Sequence, residues 1–134
     1  MSTKKRILII EDDGLLQEFY KVLFRKLGKE IIILEDANKI ITEILNGDVC
    51  LIIMDINLKN TYLREKRTDG IKLSHYIKVK YSNLKIPILL ITAYSSNYIS
   101  SNILDESLAD DILLKPIVDF DLLIDKINKL LEKR

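Results

Sequence analysis

Four short polar clusters each follow a run of apolar residues. Glu11-Asp12-Asp13 follows Ile7–Ile10, and Asp55-Ile56-Asn57 follows Val49–Met54. Thr92-Ala93 follows Ile86–Ile91, and Lys115-Pro116 follows Ile112–Leu114. Together they offer three or four carboxylates, one hydroxyl and one ammonium. Gathered carboxylates repel one another and need compensation. Mg²⁺ (or Mn²⁺) compensates them well, because hard divalent cations favour carboxylate, carbonyl and water oxygens. An ammonium at the same place suits a phosphoryl oxygen. Carboxylate, cation, hydroxyl and ammonium make a phosphoryl-transfer set. An aspartate in such a set can act as nucleophile and form an acyl phosphate.

These residues meet only if the fold brings the ends of the runs together. The runs, with a fifth at Ile31–Leu34, are short, rich in Ile and Leu, and mostly continuous. That pattern suits strands buried on both faces of a parallel sheet covered by helices. Ligands of such sheets bind outside the carboxyl ends of the strands. Glu35-Asp36, ending the second run, is expected at the edge, away from the centre. Between the runs lie helical patterns. Leu15, Leu16, Phe19, Leu23 and Leu27 share one face, with Gly28 as terminator. Phe120, Leu123, Ile124, Ile127, Leu130 and Leu131 recur at helical spacing. Weaker helices are expected over 37–46, 70–80 and 97–108. Five strand-then-helix repeats imply an α/β sandwich with right-handed crossovers. Residues 59–68 carry Lys59, Arg64, Lys66 and Arg67 against the single Glu65 and read as a long exposed loop. A tolerated surface insertion is the plain expectation; a partner-binding or gating loop is the sharper one.

A length of 134 residues points to one domain, 1–134. Twenty-one Lys and Arg against twenty Asp and Glu argue against a dedicated nucleic-acid binder. The tyrosines are scattered and form no base-stacking platform. Cys50, inside an apolar run, reads as a small buried hydrophobe. His75 reads as an ordinary surface or partly buried histidine. Ile7–Ile10 is too short for a signal peptide or a membrane span, so the expected location is the cytoplasm.

"ILIIEDD", "LIIMDIN", "LLITAY" and "DDILLKP", in this order, resemble the motifs of the receiver domains of two-component response regulators. The resemblance covers nearly the whole chain. It implies a (βα)5 flavodoxin-like doubly wound sandwich with a five-stranded parallel sheet of order 2-1-3-4-5. It implies Asp55 as phosphoacceptor, with Glu11, Asp12, Asp55 and the Asn57 carbonyl around Mg²⁺. Thr92, Ala93 and Lys115 would serve the phosphoryl group, and the bond before Pro116 would be cis. The implied partners are a sensor histidine kinase or phosphotransfer protein and a downstream protein. Neither nucleic acid nor a membrane is an expected direct partner. A monomer or a phosphorylation-dependent dimer would be consistent with the resemblance. Only Glu132-Lys133-Arg134 follows the last helical pattern, so a stand-alone regulator is expected, with output through the fourth helix, fifth strand and fifth helix.

The sequence departs from the family pattern in two places. The pattern puts a proline soon after the acceptor and the glycine of Asp-Gly eight positions on. Here Lys59 stands where proline is usual and Gly70 comes fifteen positions after Asp55, so about seven residues are inserted, within a loop of about 58–69. The usual aromatic switch position, three before the lysine, is Ile112. An isoleucine cannot reproduce the rotation of a Tyr or Phe, which leaves a non-switching interaction module as the alternative. Tyr94 holds a position that tunes phosphoryl lifetime in the family. An aspartate-nucleophile phosphatase would need a general acid two positions after the nucleophile, where Asn57 stands. No G-x-x-x-x-G-K-[ST] loop for nucleotide binding exists.

Overall fold

The computed structural model describes residues 5–59, 61–63, 65–93 and 97–132, with backbone alone over 97–101. In chain order the elements are β1 (Arg6–Ile10), α1 (Gly14–Leu27), β2 (Ile31–Leu34), α2 (Ala37–Leu45), β3 (Val49–Asp55), β4 (Tyr62–Leu63), β5 (Lys66–Arg67), α3 (Gly70–Lys80), a 3₁₀ turn at Ser82–Leu84, β6 (Ile88–Thr92), α4 (Asn97–Ser107), β7 (Asp111–Leu114) and α5 (Phe120–Glu132). Five strands form one parallel sheet, in the order β2-β1-β3-β6-β7. With the β4–β5 hairpin set aside, this is the 2-1-3-4-5 order of a flavodoxin-like sandwich. Among the described residues no helix is long and apolar enough to cross a membrane.

The continuous apolar runs serve two cores at once, because successive strand residues point to opposite faces. Ile7, Ile9, Leu51, Ile53, Leu89 and Ile91 pack with Tyr20 and Phe24 of α1 and Leu123, Ile127 and Leu130 of α5. Leu8, Ile10, Ile52, Met54, Ile88 and Leu90 pack with Ile40 and Ile44 of α2, Leu73 and Ile77 of α3 and Ile103 of α4. Each fully buried Ile or Leu contributes roughly 1.5–3 kcal/mol relative to exposure. β2, at the edge, is only half-buried along its length.

Local signals set the helix ends. Asp13, Asp36 and Asp69 are N-caps whose side chains accept from Leu15, Asn38 and Lys72 N–H groups at 2.9, 2.9 and 2.8 Å. Gly28 closes α1 at φ +68°, the left-handed conformation that favours glycine.

Several sequence expectations shift. The fourth strand begins at Ile88, after Pro87, rather than at Ile86. Leu15 points out of α1 and is 84% exposed; the fully buried positions of that helix are Tyr20 and Phe24. Phe120 is half-exposed at the start of α5 and meets Phe19, ring centroids 5.5 Å apart. Cys50 is half-buried, with Sγ 3.4 Å from the Arg6 carbonyl. His75 is exposed, its Nδ1 3.1 Å from the Glu106 carbonyl.

The segment read as a long exposed loop is partly ordered and partly buried. Tyr62–Leu63 pairs antiparallel with Lys66–Arg67. Leu58, Thr61 and Thr68 are buried, and Leu63 packs on the core beneath α2 and α3. The alternation of inward Thr61 and Leu63 around outward Tyr62 is a strand pattern, and the charges around it conceal it. Within this segment Asn60 and Arg64 lie outside the described residues, as does Tyr94.

Candidate functional site

The register of the parallel sheet sets the site. Ile10 pairs with Met54, which brings Glu11 level with Asp55. Asp55 pairs with Ile91, and Thr92 pairs with Leu114, so Thr92 and Lys115 follow at the same edge. Lys115 is fixed further by its backbone N–H, which donates to the Thr92 carbonyl at 2.6 Å. The Lys115–Pro116 peptide is cis.

At this edge stand two carboxylates almost without solvent: Glu11 is 1% exposed and Asp55 4%. Asp12 is partly buried beside them. One ligand atom from each of Glu11, Asp12 and Asp55 lies within 4.8 Å of the others. The compensating charge is Lys115, whose Nζ donates to Asp55 Oδ2 at 2.9 Å and lies 3.7 Å from Glu11 Oε1. The other Asp55 oxygen, Oδ1, accepts the Asn57 backbone N–H at 3.1 Å. Glu11 Oε2 accepts the Asp13 N–H at 3.2 Å, and Gln17 Nε2 donates to the Glu11 carbonyl at 2.7 Å. Glu11 Oε1 is buried and has no hydrogen-bond partner among the described residues.

One ammonium does not balance this group. Burial first, and then the charge of Asp55, pushes the Glu11 carboxyl up to about 7, while Lys115 pulls it down. Burial also raises the Tyr20 phenol above its ordinary range, with Glu11 and Asp55 adding to the effect. A divalent cation would relieve this strain. The candidate ligands are all hard oxygens, and Glu11 Oε1 is an acceptor with no hydrogen-bond donor among the described residues, so the residues fit Mg²⁺ or Mn²⁺.

The structure thus brings together Glu11, Asp12, Asp55 and Lys115, with buried Thr92 joined through its carbonyl. Ala93 follows at the surface. The Asn57 side chain points to solvent, and its contact with Asp55 is through the backbone N–H. Asp13 is a helix cap. Ile112 lies mid-strand on β7, half-buried against the α2–α4 core, and lines a groove with Leu114, Val118 and Leu122. Sequence reasoning missed Gln17 and the backbone donors of Asn57 and Lys59. Backbone donors leave little trace in residue type. Lys59 in a proline's place hinted at one of these donors, and Gln17, one helical turn past Asp13, was visible as a polar residue beside the acidic cluster.

A family model described as response regulator receiver domain matches residues 7–128. The transcriptional regulatory protein DltR of Streptococcus agalactiae is 31% identical over 118 residues, covering 88% of this chain and 48% of that protein. The chain therefore spans about half the length of this curated relative. A two-component response regulator from Clostridium difficile superposes with a TM-score of 0.76 at 25% identity, covering 96% of this chain and 97% of that one. The response regulator protein TrrA of Thermotoga maritima, solved in complex with Mg²⁺-BeF, superposes with a TM-score of 0.73 at 28% identity, covering 94% and 98%.

Proposed function

The chain belongs to the response regulator receiver domain family, a family of phosphoacceptor switches rather than turnover enzymes, and we propose that Asp55 is its acceptor and a histidine kinase or phosphotransfer protein its donor. One observation carries this reading: Asp55, buried at the end of β3, holds the Lys115 ammonium at 2.9 Å beside two further carboxylates. A purely structural strand end has no use for so much unbalanced buried charge.

An Asp55 carboxylate oxygen attacks the phosphorus of a phosphohistidine. The P–N bond breaks, the imidazole keeps its electron pair, and Asp55 becomes an acyl phosphate. Lys115, released from Asp55 Oδ2, pairs with a phosphoryl oxygen. The Thr92 hydroxyl, with Ala93 beside it, binds another. The Asn57 N–H steadies the carboxylate before attack. Mg²⁺ would be held by Glu11, Asp12, Asp55 and the Asn57 carbonyl, and when bound supplies positive charge against the gathered anions. Output passes to a protein partner. The exposed apolar residues Leu114, Val118 and Leu122 along β7 and α5 support that side as the docking face. Phosphorylation-dependent pairing of two copies would use the same face.

Ile112 favours a second reading, a receiver-like interaction module that does not switch. The two readings separate on incubation with acetyl phosphate and Mg²⁺ followed by intact mass. The switch gains one phosphoryl group that Asp55→Asn does not; the module gains none.

A further inference from the structure

Among the described residues the inserted segment reaches the site through the backbone of Lys59. The Lys59 backbone N–H donates to Asp12 Oδ2 at 2.6 Å across 47 positions of sequence. The family pattern has proline here, and proline carries no N–H to give. Beyond Lys59 the segment is anchored to the domain. Thr61 Oγ1 donates to the Glu35 carbonyl at 2.8 Å, and the Thr68 N–H donates to the Thr61 carbonyl at 2.9 Å. Between those anchors the β4–β5 hairpin exposes Lys66 and Arg67. Asp12 is thus shared: it belongs to the carboxylate group, and it ties down the chain that leads into the hairpin, one step before the Thr61–Glu35 anchor.

We propose that the Lys59 N–H is a positioning group for the cation site, and that through Asp12 the cation and the hairpin hold each other in place. This rests on the cation reading above. A carboxylate has lone pairs for both partners, so a donor on Oδ2 leaves Asp12 free to ligate. Hydrogen bonds to ligating carboxylates fix their orientation, and losing one typically costs about 10–100-fold in metal affinity. The coupling is reciprocal: the factor by which the tether strengthens cation binding is the factor by which the cation strengthens the tether. A loaded site therefore fixes a basic hairpin beside the phosphoacceptor, and an empty one leaves it looser.

The test uses Mn²⁺, followed by water-proton relaxation, on wild type, Lys59→Pro and Lys59→Ala. Lys59→Ala keeps the N–H and loses only the ammonium, so it binds Mn²⁺ within about twofold of wild type, while Lys59→Pro binds about tenfold more weakly. A second measurement needs no variant: amide hydrogen exchange of wild type with and without Mg²⁺. Exchange at Lys59 and across residues 61–68 slows when Mg²⁺ is added. Equal affinity in wild type and Lys59→Pro, or hairpin exchange indifferent to Mg²⁺, overturns the tether and leaves the cation reading standing. Absence of Mn²⁺ binding by wild type at millimolar cation overturns both.

Discussion

Gly70 packs against the backbone of Asp55 with no room for a side chain between them. A Cβ on Gly70 would meet the Asp55 carbonyl oxygen and fall 2.7 Å from the Ile56 Cα. The Gly70 N–H donates to the Ile56 carbonyl at 2.9 Å. Although Gly70 comes fifteen positions after Asp55, the chain loops out through the hairpin and returns to press on the acceptor.

Gly70→Ala therefore forces the acceptor loop away from α3. It lowers stability by about 2–3 kcal/mol, the scale of overpacking, and slows phosphoryl uptake by displacing Asp55. Gly14→Ala, with open space around its Cβ, stays within about 0.5 kcal/mol of wild type. Urea unfolding of both variants checks this.

The buried Glu11 carboxyl makes stability depend on pH. Its pKa rises from 4.5 to about 7 on folding, so between those values the folded state binds more protons than the unfolded. Stability then falls with rising pH across that window and levels off above it. Glu11→Gln removes this part of the slope. Urea midpoints at pH 5 and pH 8 show a smaller difference in the variant than in wild type. Mg²⁺ favours the charged carboxylate, so its affinity rises through the same window and binding releases protons.

Lys115→Ala leaves the buried carboxylates without their cation. The loss of stability is about 1–3 kcal/mol at pH 8, discounted because the ammonium is partly exposed. At pH 5, where Glu11 is already protonated, the loss is smaller. Phosphoryl uptake falls at both values. The same urea series, run on this variant, reads the difference.

Thr61→Val removes the hydroxyl that binds the Glu35 carbonyl and keeps the side-chain shape. Stability falls by about 0.5–1.5 kcal/mol, the scale of one partly buried hydrogen bond whose acceptor, on exposed Glu35, water can reach. Protease cleavage after Lys66 and Arg67 speeds up. Cleavage at an unchanged rate would show that the hairpin does not depend on this anchor.

The strands and the site were legible for one reason. A parallel sheet buried on both faces writes continuous apolar runs, and the polar residues that end its four inner runs are the candidate site residues, while Glu35-Asp36 ends the edge strand away from them. Glu11, Asp55, Thr92 and Lys115 were visible in that way, and the register did the rest. The hairpin was not visible, because Tyr62–Leu63 is too short to show a period and lies among charges. Leu15 misled because it fits the apolar stripe of α1, yet it sits at the start of the helix and is 84% exposed among the described residues. The Lys59 N–H and the Gly70 contact are backbone facts. Only Lys59 in a proline's place and the late Asp69-Gly70 hinted at them.

The most direct test of Asp55 as acceptor is borohydride trapping. The protein is treated with acetyl phosphate and Mg²⁺, reduced, digested and mapped. An acyl phosphate on Asp55 is reduced to the alcohol, so position 55 reads as homoserine, and only after exposure to the donor. Homoserine at Asp12 or another aspartate, the corresponding hydroxy amino acid at Glu11, or no reduced residue in a folded, Mg²⁺-loaded protein, would contradict the assignment.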